Sequence, residues 1–193
     1  MRRYSFHLFL SLLLALTFTS CDSDDNGNGD GDGNGNGNGG TVVGDADVNV
    51  TGALNSSFSG SAVFGVDEDN TSFSLALFEG GFVTGTTPTG ELVGIGRDGG
   101  RPDVGTYDLG VSDNDVTFVG AYISDLSSTT GATFVSSETG TITITSSSSD
   151  RVAGSFSFTG QAISGTGGPL GEVTISGTFD AEFASTIPST SFP

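Results

Sequence analysis

The chain has 193 residues, with 23 Asp and Glu against 5 basic side chains, all of them Arg, and it holds one His, one Cys and no Trp. Every acid lies beyond residue 20, where only Arg97, Arg101 and Arg151 oppose them, an excess of 20 negative charges. Such a surface repels nucleic acid and anionic headgroups, because phosphate recognition needs clustered Lys or Arg. With no Lys, and with its only His at position 7, the chain beyond residue 20 also excludes Ser–His–Asp triads, Ser–Lys dyads, Cys–His pairs, Schiff bases and His- or Cys-ligated zinc.

The chain opens MRRYSFHLFLSLLLALTFTSC. Arg2 and Arg3 precede an apolar run from Phe6 to Phe18, and Thr19 and Ser20 lead into Cys21. A basic start, an apolar stretch and a small-residue zone make a secretory signal over residues 1–20. A membrane-spanning helix needs roughly 20 apolar residues, and this run is shorter and is followed by acids. A cysteine placed directly after such a signal resembles the bacterial lipoprotein signal, in which it is acylated and becomes the mature N-terminus. Phe18 stands where that signal usually carries Leu, while Thr19 and Ser20 fit it. The rival is ordinary cleavage after Thr19, with Thr17 and Thr19 as the small residues. Lipidation is the expectation, since a bare thiol on a secreted protein is reactive. Two or three acyl chains also hold a membrane far better than one.

Asp22, Ser23, Asp24 and Asp25 follow, and resemble the acidic export signal of surface lipoproteins from Bacteroidota-like bacteria. The alternative is a solvated acidic start to a linker. From Asn26 to Gly40, Gly alternates with Asn or Asp, so residues 21–44 are expected to be a lipidated cysteine on a flexible leash. A Gly-rich coil of about 20 residues spans on the order of 25 Å. The run is not a calcium loop: Gly33 occupies the position where an EF-hand starting at Asp22 needs its bidentate Glu.

From residue 45 the period is two, the signature of strands. In chain order the candidates are DVNVTG from Asp47, SAVFGV from Ser61, SFSLALF from Ser72, ELVGIG from Glu91, TYDL from Thr106, VTFVGAYI from Val116, ATFV from Ala132, GTITIT around Ile142 and Ile144, RVAGSFSFT from Arg151 and EVTISGTFDAEF from Glu172. In the last, Val173, Ile175, Gly177, Phe179, Ala181 and Phe183 share one face, and Glu172, Thr174, Ser176, Thr178, Asp180 and Glu182 the other. About nine or ten short strands predict an all-β domain over residues 45–186, a single antiparallel β-sandwich or flattened barrel, with a tail at 187–193. Its core is Phe, Val, Ile and Leu, and its solvent face is Ser and Thr. With no Lys to guard sheet edges, Gly, Pro102, Asp and the flanking loops are expected to blunt them.

The acids fall in turn-like contexts: DEDN (Asp67 to Asn70), SDND (Ser112 to Asp115) and SSDR (Ser148 to Arg151). They are expected to serve turn chemistry. RDGGRPD (Arg97 to Asp103) is expected to hold surface ion pairs, with carboxylate binding as the alternative. No catalytic residue, metal ligand or cofactor site is assigned.

RPDVGTYDLG, ETGTITITSSSSDRVAGSFSFTG and VTISGTFDA resemble a family of uncharacterised lipoproteins from Bacteroidota-like bacteria that carry a DUF6252-type β domain, over roughly Val48 to Phe183. The resemblance implies an antiparallel β domain on a membrane tether and carries no established activity. The expected function is therefore a non-enzymatic binding or structural accessory, anchored in the outer membrane through Cys21 and facing the cell surface. Its partner is a membrane by way of the lipid, not a nucleic acid, and its protein or glycan partner is open. Its binding site is expected on Gly-rich loops, Gly80 to Thr89 or Gly160 to Gly171. The alternatives are a small barrel carrying an apolar ligand and a carboxylate-based hydrolase.

Overall fold

The computed structural model describes residues 44–67, 69–80, 89–110, 117–128 and 131–184. They hold ten strands: β1 (Gly44–Gly52), β2 (Ser56–Val66), β3 (Ser72–Glu79), β4 (Leu92–Asp98), β5 (Gly105–Asp108), β6 (Val119–Ile123), β7 (Thr133–Ser136), β8 (Thr139–Ser147), β9 (Arg151–Ser164) and β10 (Pro169–Phe183). Each overlaps one of the ten alternating segments, and the β-branched and aromatic residues that fill them suit a pleated surface buried on one side.

The sheet closes on itself. Going round, β1, β2, β3, β4, β6, β7, β9 and β10 pair antiparallel in turn, and β10 returns to β1. The domain is thus an eight-stranded antiparallel barrel, and the sandwich alternative falls. Beyond the start of β1, Glu182 and Phe183 pair directly with Val63 and Phe64 and continue the seam. Strands β7 and β8 run along the same edge of β9, stepped at Ser137 and Glu138. The buried Ser137 holds that step, because its backbone N–H donates to Gly120 O at 2.8 Å and its hydroxyl accepts from Gly120 N at 2.8 Å. Strand β5 lies outside β8, and Leu109 and Phe118 bridge it back to the chain leading into β6. Closure is the main device that protects the edges, ahead of the loops, and Pro102 has a local role, its carbonyl accepting from Ser147 Oγ at 2.6 Å.

Eight strands leave an interior that side chains just fill. Here Phe64, Phe118, Phe158, Leu75, Leu77, Ile95, Ile142, Ile144 and Ile175 are all fully buried. Burying a large apolar side chain contributes about 1.5–3 kcal/mol. The phenylalanines fit because glycines face them across the ladders: Phe156 is registered with Gly177, Phe179 with Gly154 and Phe158 with Gly140. A Cβ on Gly177 would stand 3.1 Å from the Phe156 ring, and one on Gly154 would stand 3.0 Å from the Phe179 ring and 2.1 Å from Thr143 O. Each ring therefore occupies the volume that its neighbour's missing side chain vacates, an arrangement also used in designed sheets.

The strict apolar-in, polar-out pattern fails on one wall. Val63, Phe78, Leu92, Ile123 and Ala132 point away from the barrel interior yet are buried, with Ala76, Leu126 and Ala184 packed on them. Leu126 N donates to Gly90 O at 2.8 Å and Ala184 N to Phe64 O at 2.9 Å, which pins the covering segments to this wall. A second correction concerns Gly160–Gly171. The segment is strand on either side of a short turn, with Ser164 N donating to Gly168 O at 2.9 Å and Gly167 taking a φ of 93°. Gly160 does not interrupt the pattern; it is an inward position pressed against Ser136 O, 2.0 Å from where its Cβ would lie.

Substituting Gly154 by Ala is expected to destabilise the domain by about 1–3 kcal/mol, the usual cost of overpacking, read as a lower urea midpoint with an unchanged slope. An unchanged midpoint would show that the Phe179 ring does not depend on the glycine opposite.

Candidate functional site

Cys21, Asp22, Ser23, Asp24 and Asp25 lie outside the described residues, as do 81–88 of the first candidate loop and all of SDND. The remaining turn segments behave as turn chemistry requires. The Asp67 carboxylate accepts from Thr71 N at 2.5 Å, from Ser72 N at 3.0 Å and from the Thr71 hydroxyl, and Asn70 takes a φ of 53°. The Thr71 hydroxyl bond first, with the two backbone donors, holds Asp67 below the ordinary carboxylate range against the opposing effect of desolvation. SSDR is the β8–β9 turn, with Ser148 N donating to Arg151 O at 2.8 Å. Arg151 leaves that turn to make a bidentate pair with Asp180, at 2.5 and 2.6 Å.

The expectation for RDGGRPD is corrected. Arg97 follows Val93 and Ile95 on the inner face of β4, so it enters the end of the barrel. Its Nε donates to Gly100 O at 3.1 Å and its Nη2 to Gly99 O at 2.7 Å. The guanidinium sits 5.5 Å from the Tyr107 ring centroid and 5.3 Å from that of Phe118. Carbonyls and ring faces satisfy it in place of a carboxylate, and it closes this end where β4 outruns β6.

The opposite end holds a polar group that the alternation conceals. Glu79, Glu91 and Ser56 share the inward parity of Leu77, Val93 and Phe58, and Tyr122 itself belongs to the core. Ser56 Oγ donates to Glu91 Oε1, Glu91 N donates to Glu79 Oε2 at 3.1 Å, and Glu91 Oε2 is buried without a hydrogen bond among the described residues. Tyr122 lies 1% exposed beside them. Burial first, then the Glu91 charge and the approach of its carboxylate, then Glu79, push the Tyr122 phenol well above its ordinary value near 10. Two carboxylates meet a phenol and a hydroxyl here, and they stopper the barrel above a filled interior.

The widest polar feature is the outer wall of β2, β1, β10, β9, β8 and β5, in that order around the sheet. Register aligns its side chains in rows. One row is Ser59, Asp47, Thr178, Ser155, Thr143 and Thr106. The next is Ser57, Asn49, Ser176, Ser157, Thr141 and Asp108. A third is Thr51, Thr174, Thr159 and Thr139. Neighbouring strands lie about 4.8 Å apart and same-face residues about 6.8 Å apart along a strand, so the wall is a two-dimensional grid of hydroxyls. Ser59 Oγ donates to Asp47 Oδ1 at 2.6 Å, and Thr106 and Thr143 share a bond at 3.0 Å. A recess of about 490 Å³ opens over β2, β1 and β10, with Asp47, Asn49, Ser57, Ser59, Ser176 and Thr178 around it and Val48, Phe58, Phe156 and Gly177 completing its lining.

This polarity is the reverse of a membrane-spanning barrel, whose outward band is apolar and whose lumen is polar. No protein-family model, no curated protein and no solved structure matches the chain. The sequence reading found the grid's raw material, the outward Ser and Thr, but not its rows, and it missed the Glu91–Tyr122 group altogether.

Two pH effects follow from these environments. A raised folded-state value means that Tyr122 stabilises the fold fully below its ordinary value near 10 and loses that contribution as pH rises through the folded value. Glu91→Gln removes one negative neighbour, so the Tyr122 titration followed by tyrosinate absorbance should move down; an unmoved titration would show that Glu91 does not govern it. Asp180 is held below its ordinary value near 3.8 by the hydrogen bonds from Arg151, with the arginine's charge adding and burial opposing. Its contribution is present above that value and lost as pH falls through the lower one. Asp180→Asn should therefore flatten the loss of stability below pH 3.8, measured as thermal midpoint against pH, and an equally steep loss would assign the acid sensitivity elsewhere.

Proposed function

We propose that the protein is a cell-envelope lipoprotein, moored in the outer membrane through acylated Cys21, whose β-barrel is a non-enzymatic binding or structural accessory at the cell surface. The observation that carries this reading is the order of parts along the chain: a basic and apolar leader, Cys21, the acids Asp22 to Asp25, the Gly–Asn–Asp run, and a folded barrel whose first strand begins at Gly44. The Gly–Asn–Asp composition of the run after Cys21 suits a spacer, on the order of 25 Å for a Gly-rich coil of about 20 residues. The resemblance to the DUF6252-type lipoproteins supports the same assignment.

Two features of the barrel favour an accessory over a carrier or a hydrolase. Its interior is occupied by phenylalanine and aliphatic side chains that pack against each other, with Phe64 and Phe73 5.9 Å and Phe156 and Phe158 6.1 Å between ring centroids, which uses the space a small apolar ligand would need. Two of its described turn acids are engaged in local bonds: Asp67 with Thr71 and Ser72, and Asp125, whose carboxylate accepts from Ser127 N at 2.8 Å and Ser127 Oγ at 2.6 Å. What the barrel offers a partner is its outer wall.

Mass spectrometry of the mature N-terminus is expected to find a diacyl- or triacylglyceryl cysteine at position 21. Cys21→Ser should move the protein from the membrane fraction to the soluble fraction. A mature chain that begins at Ser20, or at an unmodified Cys21, would overturn the anchoring. Protease shaving of intact cells tests the leaflet: loss of the domain places it outside, and survival places it on the inner face.

A further inference from the structure

We propose that the wall formed by β2, β1, β10, β9, β8 and β5 is a binding surface for a neutral polysaccharide, seated over the recess around Asp47 and Asn49. This deepens the accessory reading above and rests on it for the setting, but the chemistry stands on the wall itself.

The grid is suited to a ligand that presents many hydroxyls. Ser and Thr hydroxyls each donate one hydrogen bond and accept two, Asn49 both donates and accepts, and Asp47 and Asp108 accept only. Among the described residues the side chains of Asn49, Ser57, Ser155, Ser157, Ser176 and Thr178 have no hydrogen-bond partner. They stand in fixed register on a closed sheet, and short side chains lose little rotamer freedom when a ligand orders them. The recess of about 490 Å³ falls inside the range of small-molecule sites, about 300–1,000 Å³. Its rim brings together an acceptor at Asp47, a mixed donor–acceptor at Asn49 and the hydroxyls of Ser57, Ser59, Ser176 and Thr178.

Charge and apolarity select against other occupants. The 20 excess acids beyond residue 20 oppose nucleic acids and sulfated or phosphorylated glycans. The three rows hold no aromatic, aliphatic or Arg side chain to anchor a protein partner. A single sugar without an aromatic platform is held weakly, so the length of the wall matters: a chain lying across successive rows engages several strands at once, and the engagement gains from each added contact.

The test is affinity electrophoresis of the mature, full-length protein in detergent through gels loaded with dextran, mannan, β-glucan or galactan, with dextran sulfate as the polyanion. At least one neutral gel should retard it. Asn49→Ala and Ser176→Ala should each weaken that retardation, together by about tenfold in dissociation constant, the scale of one or two lost neutral hydrogen bonds, while the thermal midpoint stays unchanged. Ser74→Ala on β3, away from the wall, should leave it intact. No retardation in any neutral gel, equal retardation of the variants, or retardation by dextran sulfate alone would each overturn the proposal. The Cys21 mass measured on the same sample separates the two readings. An acylated protein that binds no neutral glycan loses the ligand and keeps the anchor; an unacylated protein that binds through Asn49 loses the anchor and keeps the wall.

Discussion

Strand β1 is hydrogen-bonded along both edges, to β2 through residues 44–50 and to β10 through residues 45–52. Those two ladders turn an open sheet into a barrel. An open sheet of this composition would have exposed long ladders of Ser, Thr and apolar residues with no Lys to repel a second copy, the arrangement most prone to edge-to-edge association. Closure satisfies the edge backbone groups within the chain. It also gives Ala46, Val48 and Val50 an enclosed interior, where each is under 5% exposed.

The same closure sets the terms of packing. An eight-stranded barrel has a narrow bore, and three of its rings enter it where a neighbouring residue gives up its side chain. The glycines at 140, 154 and 177 do so opposite Phe158, Phe179 and Phe156. The two ends need different stoppers. At one, Arg97 lays its guanidinium over Tyr107 and Phe118 and donates hydrogen bonds to the Gly99 and Gly100 carbonyls. At the other, Glu91 reaches across to Ser56 beside Tyr122. Both lie at the rim of an apolar bore: the Arg97 head finds carbonyl partners, while Glu91 bonds Ser56 through one oxygen and leaves the other buried without a bond among the described residues.

Strand identity was legible because a strand's inward and outward faces are written in period two, as the alternation from Val173 to Phe183 shows. Closure was not, since it depends on which strands meet, and residue spacing within a strand carries no such information. The doubly buried wall at Val63, Phe78 and Leu92 broke the pattern locally because chain segments with no period of their own cover it. Arg97 was read as a surface residue from its Gly/Pro surroundings, yet its parity with Val93 and Ile95 already placed it on the inward face. Glu91 carried the same signal, since counting by twos from Val93 puts a carboxylate inside, whereas counting from Val119 puts the Tyr122 phenol on the outward face. The second count fails because Val119 is outward, as the ladder with β4 shows by pairing Tyr122 with Val93, and the count from the buried Phe118 gives the right face.

The outer wall illustrates how a property invisible in one strand emerges from register. Each strand contributes one to three outward hydroxyls, which alone mean only that the face meets water. Register then places Thr178 beside Asp47 and Ser155, and Ser176 beside Asn49 and Ser157. A slip of one residue in β10 would turn these positions inward and the phenylalanines outward. The burial of Phe179 and Ile175 is therefore what holds the hydroxyls in rows. The energy that orders the recess comes from the core beneath it, so its polar groups need no bonds to one another to keep their places and remain free to bond to a ligand.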